Sequence, residues 1–224
     1  MPESPRFFGR RRGKRLRVAG RDRFARILPG LTIAEPPPGT VIDPASLFSR
    51  PPREIWLEIG FGGGEHLARQ AVRHPDIGII GCEVFVNGIA SLLAHLEADG
   101  LDNVRIFPED ARRLLPALPD GAIGRAFVLF PDPWPKKRHA ERRFVGAANL
   151  DQLARLLAPG AELRIATDDP TYQKWARDQM ARHPAFLDMT GEATAKPADW
   201  PATRYEEKAL AAGRQPHYLV YRRR

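Results

Sequence analysis

The stretch Ile55-Trp56-Leu57-Glu58-Ile59-Gly60-Phe61-Gly62-Gly63-Gly64-Glu65-His66 decides the fold. Its apolar start, Ile55–Ile59, has the length and composition of a buried strand. Four glycines in five residues then allow a sharp turn and a close backbone approach to a ligand. A helix is expected over roughly Glu65–Arg73. The alternation continues outward. Ile77–Val84 reads as a second buried strand, followed by Val86, Ile89, Ala90 and Leu93 at helical spacing. Asn103–Phe107 is a third strand, with a short helix after Asp110, and Gly124–Phe130 is a fourth. Leu150, Leu153, Ala154 and Leu157 mark a helix closed by Pro159-Gly160 as a stop signal. Glu162–Thr167 is a strand and Thr171–Ala181 a helix; Ala185–Met189 and His217–Tyr221 are strands that can pair as a terminal hairpin-like addition. Strands alternating with helices in this way imply an α/β fold with a doubly wound, mostly parallel sheet. In such sheets ligands bind beyond the carboxyl ends of the strands.

Charge divides the chain differently. Its 224 residues carry 35 Lys or Arg and 27 Asp or Glu, a net charge of +8. Residues 1–30 hold ten of those bases against Glu3 and Asp22, which leaves the rest of the chain formally neutral. Residues 1–33 are therefore expected to be a basic, loose arm able to neutralise phosphates, and 34–224 the folded domain. A solubilising tail is the plainer reading of such a run. A second basic cluster at Lys136–Arg143, beside a strand end, favours nucleic acid. The single cysteine, Cys82, lies in an apolar run and is expected to be a buried structural thiol in a reducing cytoplasm. Neither a secretory signal nor a membrane span is evident, and no residue is assigned to a metal.

Acids follow the first three strands: Glu58, Glu83 and Asp110. Counting from Gly60, the last glycine of a dinucleotide fingerprint would fall at Glu65, so that pattern is broken. Glu58 and Glu65 would repel a pyrophosphate but suit a cationic nucleoside such as S-adenosyl-L-methionine. Glu83 is placed to accept ribose hydroxyls, and Asp110 either lies beside an adenine or caps the helix after it. After the fourth strand, prolines at 131, 133 and 135 stiffen a turn that carries Asp132 and Trp134. Trp134 is either a stacking surface or a core aromatic.

Together these segments resemble the bacterial, single-subunit tRNA (guanine-N7)-methyltransferases. The resemblance rests on Phe8-Gly-Arg-Arg-Arg-Gly-Lys-Arg-Leu-Arg, Glu58-Ile-Gly-Phe-Gly, Gly81-Cys-Glu83, Phe130-Pro-Asp132-Pro-Trp134, Ala166-Thr-Asp168 and Thr203-Arg-Tyr205-Glu206-Glu-Lys208. It implies a Rossmann-like, seven-stranded sheet with an antiparallel C-terminal strand, S-adenosyl-L-methionine as cofactor and tRNA as partner. The implied reaction methylates N7 of guanine 46 in the variable loop. Cofactor contacts would come from Glu58, Gly60, Gly62, Glu83, Asp110 and Asp132, with Asp132 also catalytic. Lys136, Asp168, Thr203, Arg204, Tyr205 and Glu206 would bind substrate, and Arg138, His139, Arg142 and Arg143 would touch RNA. No obligate protein partner is implied, and a monomer or homodimer is expected. Pro135 and Glu141 depart from the family's pattern, where a histidine and a basic residue are usual. Taken without the resemblance, Asp168 would be a helix N-cap and Glu206 a surface acid. Rival readings are a methyltransferase acting on another RNA base or on protein, a basic RNA-binding module with a vestigial cofactor site, and an NAD oxidoreductase.

Overall fold

The protein is described over residues 8–224 in a computed structural model. The chain divides into two compact units, one ending at Pro119 and the other beginning at Asp120. The cut falls along the chain between the third and fourth strands.

In the first unit, β1 (Glu54–Ile59), β2 (Ile77–Cys82) and β3 (Val104–Phe107) pair in parallel, in the order β3-β2-β1. Every residue of β2 is buried, as befits a strand covered on both faces. Helices α3 (Glu65–Arg73) and α4 (Val86–Asp99) connect the strands. The core is aliphatic, with Leu57, Leu67, Ile79, Ile80, Leu92, Leu93 and Ile106 excluded from solvent. Cys82 is buried at the end of β2, and loss of solvation pushes its thiol far above the reactive range.

The basic arm belongs to this unit. Residues 1–7 lie outside the described residues, so the expectation of a loose arm is untouched there. From Phe8 on, the segment is docked rather than free. It forms α1 (Val18–Arg26) and α2 (Leu28–Leu31), and Thr32 bridges to Ile106 beside β3. α1 buries no residue of its own; Arg23 and Arg26 hold it to α4 by pairing with Glu97.

In the second unit the order is β4-β5-β7-β6. β4 (Ile123–Leu129) and β5 (Leu157–Thr167) are parallel, while β7 (His217–Arg223) runs antiparallel to both β5 and β6 (Phe186–Asp188). The seven strands give the doubly wound, mostly parallel class with antiparallel C-terminal strands. Three helices complete the unit: α5 (Ala147–Leu156), α6 (Pro170–Arg182) and α7 (Arg204–Ala211).

One boundary differs from expectation. β5 starts directly after α5 and runs through Pro159-Gly160 instead of beginning beyond them. The register slips there, Ile123 facing Leu157 and Arg125 facing Glu162, so the two residues lie in a bulge. Gly160 takes a φ of +84°, which a bulge needs and glycine permits. No helix of the described residues is long and apolar enough to cross a membrane.

Candidate active site

The carboxyl ends of the first unit's strands carry three acids, each already engaged. Glu58, next to last in β1, is almost fully buried, and its Oε2 lies 2.7 Å from Nδ1 of the equally buried His66 on α3. Gln70, one turn along, approaches His66 Nε2 at 3.3 Å. A carboxylate only accepts, so Nδ1–H donates to Glu58 and Nε2 accepts from the Gln70 amide. Glu58 Oε1 has no hydrogen-bond partner among the described residues.

Glu83 follows β2. Its Oε2 accepts from Gly62 N at 2.7 Å, and its Oε1 accepts from Val84 N and Phe85 N, both at 2.8 Å. Three backbone amides thus donate to this one carboxylate. What the residue visibly does is pin the glycine loop to the start of α4. Asp110, after β3, accepts from Arg112 N at 3.0 Å and from the Arg112 guanidinium at 2.6 Å. It caps its short helix, the plainer of the two sequence readings.

The loop itself needs its glycines. Gly60, Gly62 and Gly64 have φ of +70°, +57° and +80°, and above Gly60 a Cβ would meet nothing within 4 Å. That opening beside three acids fits a cationic nucleoside. Gly88 on α4 was not anticipated from the sequence. A Cβ there would lie far inside van der Waals contact with the Gly62 carbonyl. Gly88→Ala is therefore expected to cost about 1–3 kcal/mol by overpacking, read as a lower urea midpoint. An unchanged midpoint would show that the loop yields freely.

The arm reaches the same region. Val86 N donates to Arg11 O at 2.9 Å, and Asn87 clasps Gly13 N and Lys14 O at 2.7 Å each. The Arg11 guanidinium grips both oxygens of Glu109 at 3.0 and 2.9 Å. Arg12, Lys14, Arg15, Arg17 and Arg21 are exposed and have no ion-pair partner among the described residues. The arm's bases thus divide into those that dock it and those that face outward.

In the second unit, Phe130 N donates to Ala166 O at 2.8 Å, fixing the exit from β4 beside the end of β5. Phe130 and Trp134 both have positive φ, +49° and +42°, on either side of Pro131-Asp132-Pro133. Such backbone persists only where its surroundings hold it. Asp132 is exposed and has no hydrogen-bond or ion-pair partner among the described residues, unlike every other candidate acid. The protein around it still costs it solvation, which raises its carboxyl above the usual aspartate value. Trp134 is half-buried, with the Arg142 guanidinium 5.0 Å from its ring and His139 edge-on at 5.8 Å. Desolvation and the charges of Arg142, Arg138 and Lys136 lower the His139 pKa. Lys136, Lys137 and Arg138 are exposed and have no ion-pair partner among the described residues.

Other placements add what the sequence does not show. Arg143, assigned to RNA, is 6% exposed and points inward. Its Nε and Nη2 donate to the Pro133 and Trp134 carbonyls, each at 3.0 Å. Glu206, assigned to substrate, is buried and neither contacts solvent freely nor sits on the surface. It accepts from Lys196 Nζ at 2.7 Å, Tyr218 OH at 2.7 Å and Thr203 N at 3.3 Å. Glu206 N in turn donates to Thr203 Oγ1 at 3.0 Å, closing a capping box at the start of α7. Of the four residues Thr203–Glu206, Arg204 and Tyr205 are exposed. Asp168 is paired with Arg214 at 2.6 Å, and the N-cap of α6 is its neighbour Asp169. Glu206→Ala is expected to lower stability by about 2 kcal/mol, because Tyr218 and Lys196 lose their acceptor. Unchanged thermal unfolding would refute that role.

Residues 52–219 match a family model described as "Putative methyltransferase", the class to which a doubly wound sheet with acids at its strand ends points. The chain is 59% identical over 225 residues to the tRNA (guanine-N(7)-)-methyltransferase of Paramagnetospirillum magneticum, covering 99% of this chain and 94% of the relative. It is 52% identical over 233 residues to the protein of that name from Rhodospirillum rubrum, covering 100% and 91%. The chain belongs to the tRNA (guanine-N7)-methyltransferase family. Among solved structures it is similar in fold to the 16S rRNA methyltransferase KamB, with a TM-score of 0.54 at 17% identity over 77% of this chain and 88% of that one. An rRNA methylase from Streptococcus thermophilus gives 0.53 at 12% identity over 80% and 91%.

Proposed function

We propose that the chain transfers a methyl group from S-adenosyl-L-methionine to N7 of guanine 46 in the variable loop of tRNA, forming 7-methylguanosine. The observation that carries this reading is near-full-length identity to relatives named for that activity. Asp132, unpaired among the described residues and flanked by the positive φ of Phe130 and Trp134, agrees with it. The reading puts the enzyme in the cytoplasm.

The cofactor supplies an electrophilic methyl on a sulfonium. Guanine N7 has an in-plane lone pair, which forms the new N–C bond as the C–S bond breaks and its electron pair stays on sulfur. No proton moves in that step, so no general base is needed. The chain's task is alignment, which can account for several kcal/mol of barrier lowering. Positive charge passes from sulfur to purine, and a carboxylate nearby favours it throughout. Asp132 fills that role without deprotonating anything. Glu58 Oε1 is available for the ammonium, while Glu83 and Asp110 shape the nucleoside pocket.

On the substrate side, Lys136, Asp168, Arg204 and Tyr205 are the contacts we assign, with Thr203 and Glu206 holding the last two in place through the cap. Lys136, Lys137, Arg138 and the outward bases of the arm would take phosphates. The target base must leave its stack to be reached. Digesting tRNA after reaction and identifying the product nucleoside tests the reading. We expect 7-methylguanosine, abolished when guanine 46 is replaced; a different methylated nucleoside, or none, overturns it.

A further inference from the structure

Arg143 is the last residue of a basic run, yet its surroundings are those of an internal strut. Its guanidinium spans two successive carbonyls, Pro133 and Trp134, and lies 4.8 Å from the ring centroid of Trp175 on α6. Trp175 is itself fixed, its Nε1 donating to Val145 O at 2.5 Å, and Val145 N donates to the buried Tyr172 hydroxyl at 3.3 Å. Arg143 therefore ties α6 to the proline turn. No carboxylate pairs with it among the described residues. A buried cation without a counter-charge is costly, and a solvated phosphate contact would have no need of such burial. The two carbonyls it grips bracket the positive φ of Trp134, two residues after Asp132. Backbone in that region relaxes unless it is over-determined. Arg143 supplies the determination.

We infer that Arg143 is a positioning residue: it holds the Pro131–Pro135 turn, and with it the Asp132 carboxylate, in the geometry for methyl transfer, and it does not contact tRNA phosphates. The inference rests on the proposed methyl transfer, and the experiment separates the two. Full-length unmodified chain is assayed first; if it forms no 7-methylguanosine, the functional reading fails on its own. Given activity, Arg143→Lys keeps the charge but cannot fork across two carbonyls, so it is not a conservative change.

The expected result is a fall in kcat on the order of 10²-fold, as for a misplaced catalytic group. The dissociation constant for tRNA and its salt dependence should stay where they were. Arg138→Gln, at an exposed position of the same run, gives the contrast: its salt slope should drop by about one. Rates are normalised to the fraction that binds S-adenosylhomocysteine by calorimetric stoichiometry, so misfolded material does not count. If Arg143→Lys does not fold, Trp175→Leu removes the surface beneath the guanidinium and should lower kcat in the same direction. Retained kcat per binding-competent molecule overturns the inference. So does a weaker tRNA affinity with a lowered salt slope, which would make Arg143 a phosphate contact.

Discussion

Asp132→Asn should bind tRNA within about twofold of the unmodified chain while methyl transfer falls on the order of 10²–10³-fold, the loss seen when one preorganised electrostatic group is removed. The amide preserves shape and the turn; only the charge goes. A single-turnover assay at saturating tRNA and cofactor measures it, and near-normal turnover would remove Asp132 from the reaction. The pH dependence provides a second check. Desolvation raises the Asp132 carboxyl, so the active carboxylate form is lost as pH falls through a value above the ordinary aspartate range. Activity should decline on that acid limb, and the Asn variant should lack it. Stability has the opposite sign. A raised carboxyl pKa means that ionisation costs the folded state, a penalty present at neutral pH and relieved as pH drops below the folded pKa. Asp132→Asn should therefore be no less stable than the unmodified chain at pH 7, and more nearly equal to it in acid.

Replacing Arg12, Lys14, Arg15, Arg17 and Arg21 together by serine should weaken tRNA binding on the order of 10²-fold or more and cut the salt slope by about three to five. These side chains face outward without ion-pair partners among the described residues, so each is available to displace a counterion. The docking arginines, Arg11, Arg23 and Arg26, are left in place. Thermal unfolding should then move by no more than about 2 °C, since surface changes away from specific contacts are nearly neutral. An unchanged slope of affinity against salt would show that the arm does not meet phosphate.

The order of strands and helices from Glu54 to Leu129 is legible because the elements have distinct periods and most turns carry a glycine or proline. What the sequence concealed depends on partners distant along the chain. Arg143 looks like its neighbours in a basic run; only Trp175 and the Pro133 and Trp134 carbonyls, brought together by folding, turn it inward. Glu83 and Gly62 are 21 residues apart, and nothing local shows that the acid holds the loop. α7 is a different case. Thr203 followed three residues later by Glu206 is a capping box by its sequence signature, and it marks the start of α7. Helix α1 had no such signal: its apolar residues are few, and ion pairs to Glu97 hold it in place of a buried face.

The hydrogen bond from Val86 N to Arg11 O bears on how the protein should be handled. A chain trimmed to begin at Ala34 would appear to shed only a charged tail. It would also strip the first turn of α4 of an acceptor for one of its otherwise unsatisfied amides, and deprive Asn87 of both its partners, Gly13 and Lys14. That turn begins three residues after Glu83. Activity lost on trimming would then combine a looser grip on tRNA with a frayed helix beside the glycine loop, so point substitution, not truncation, is the cleaner way to ask what the arm does.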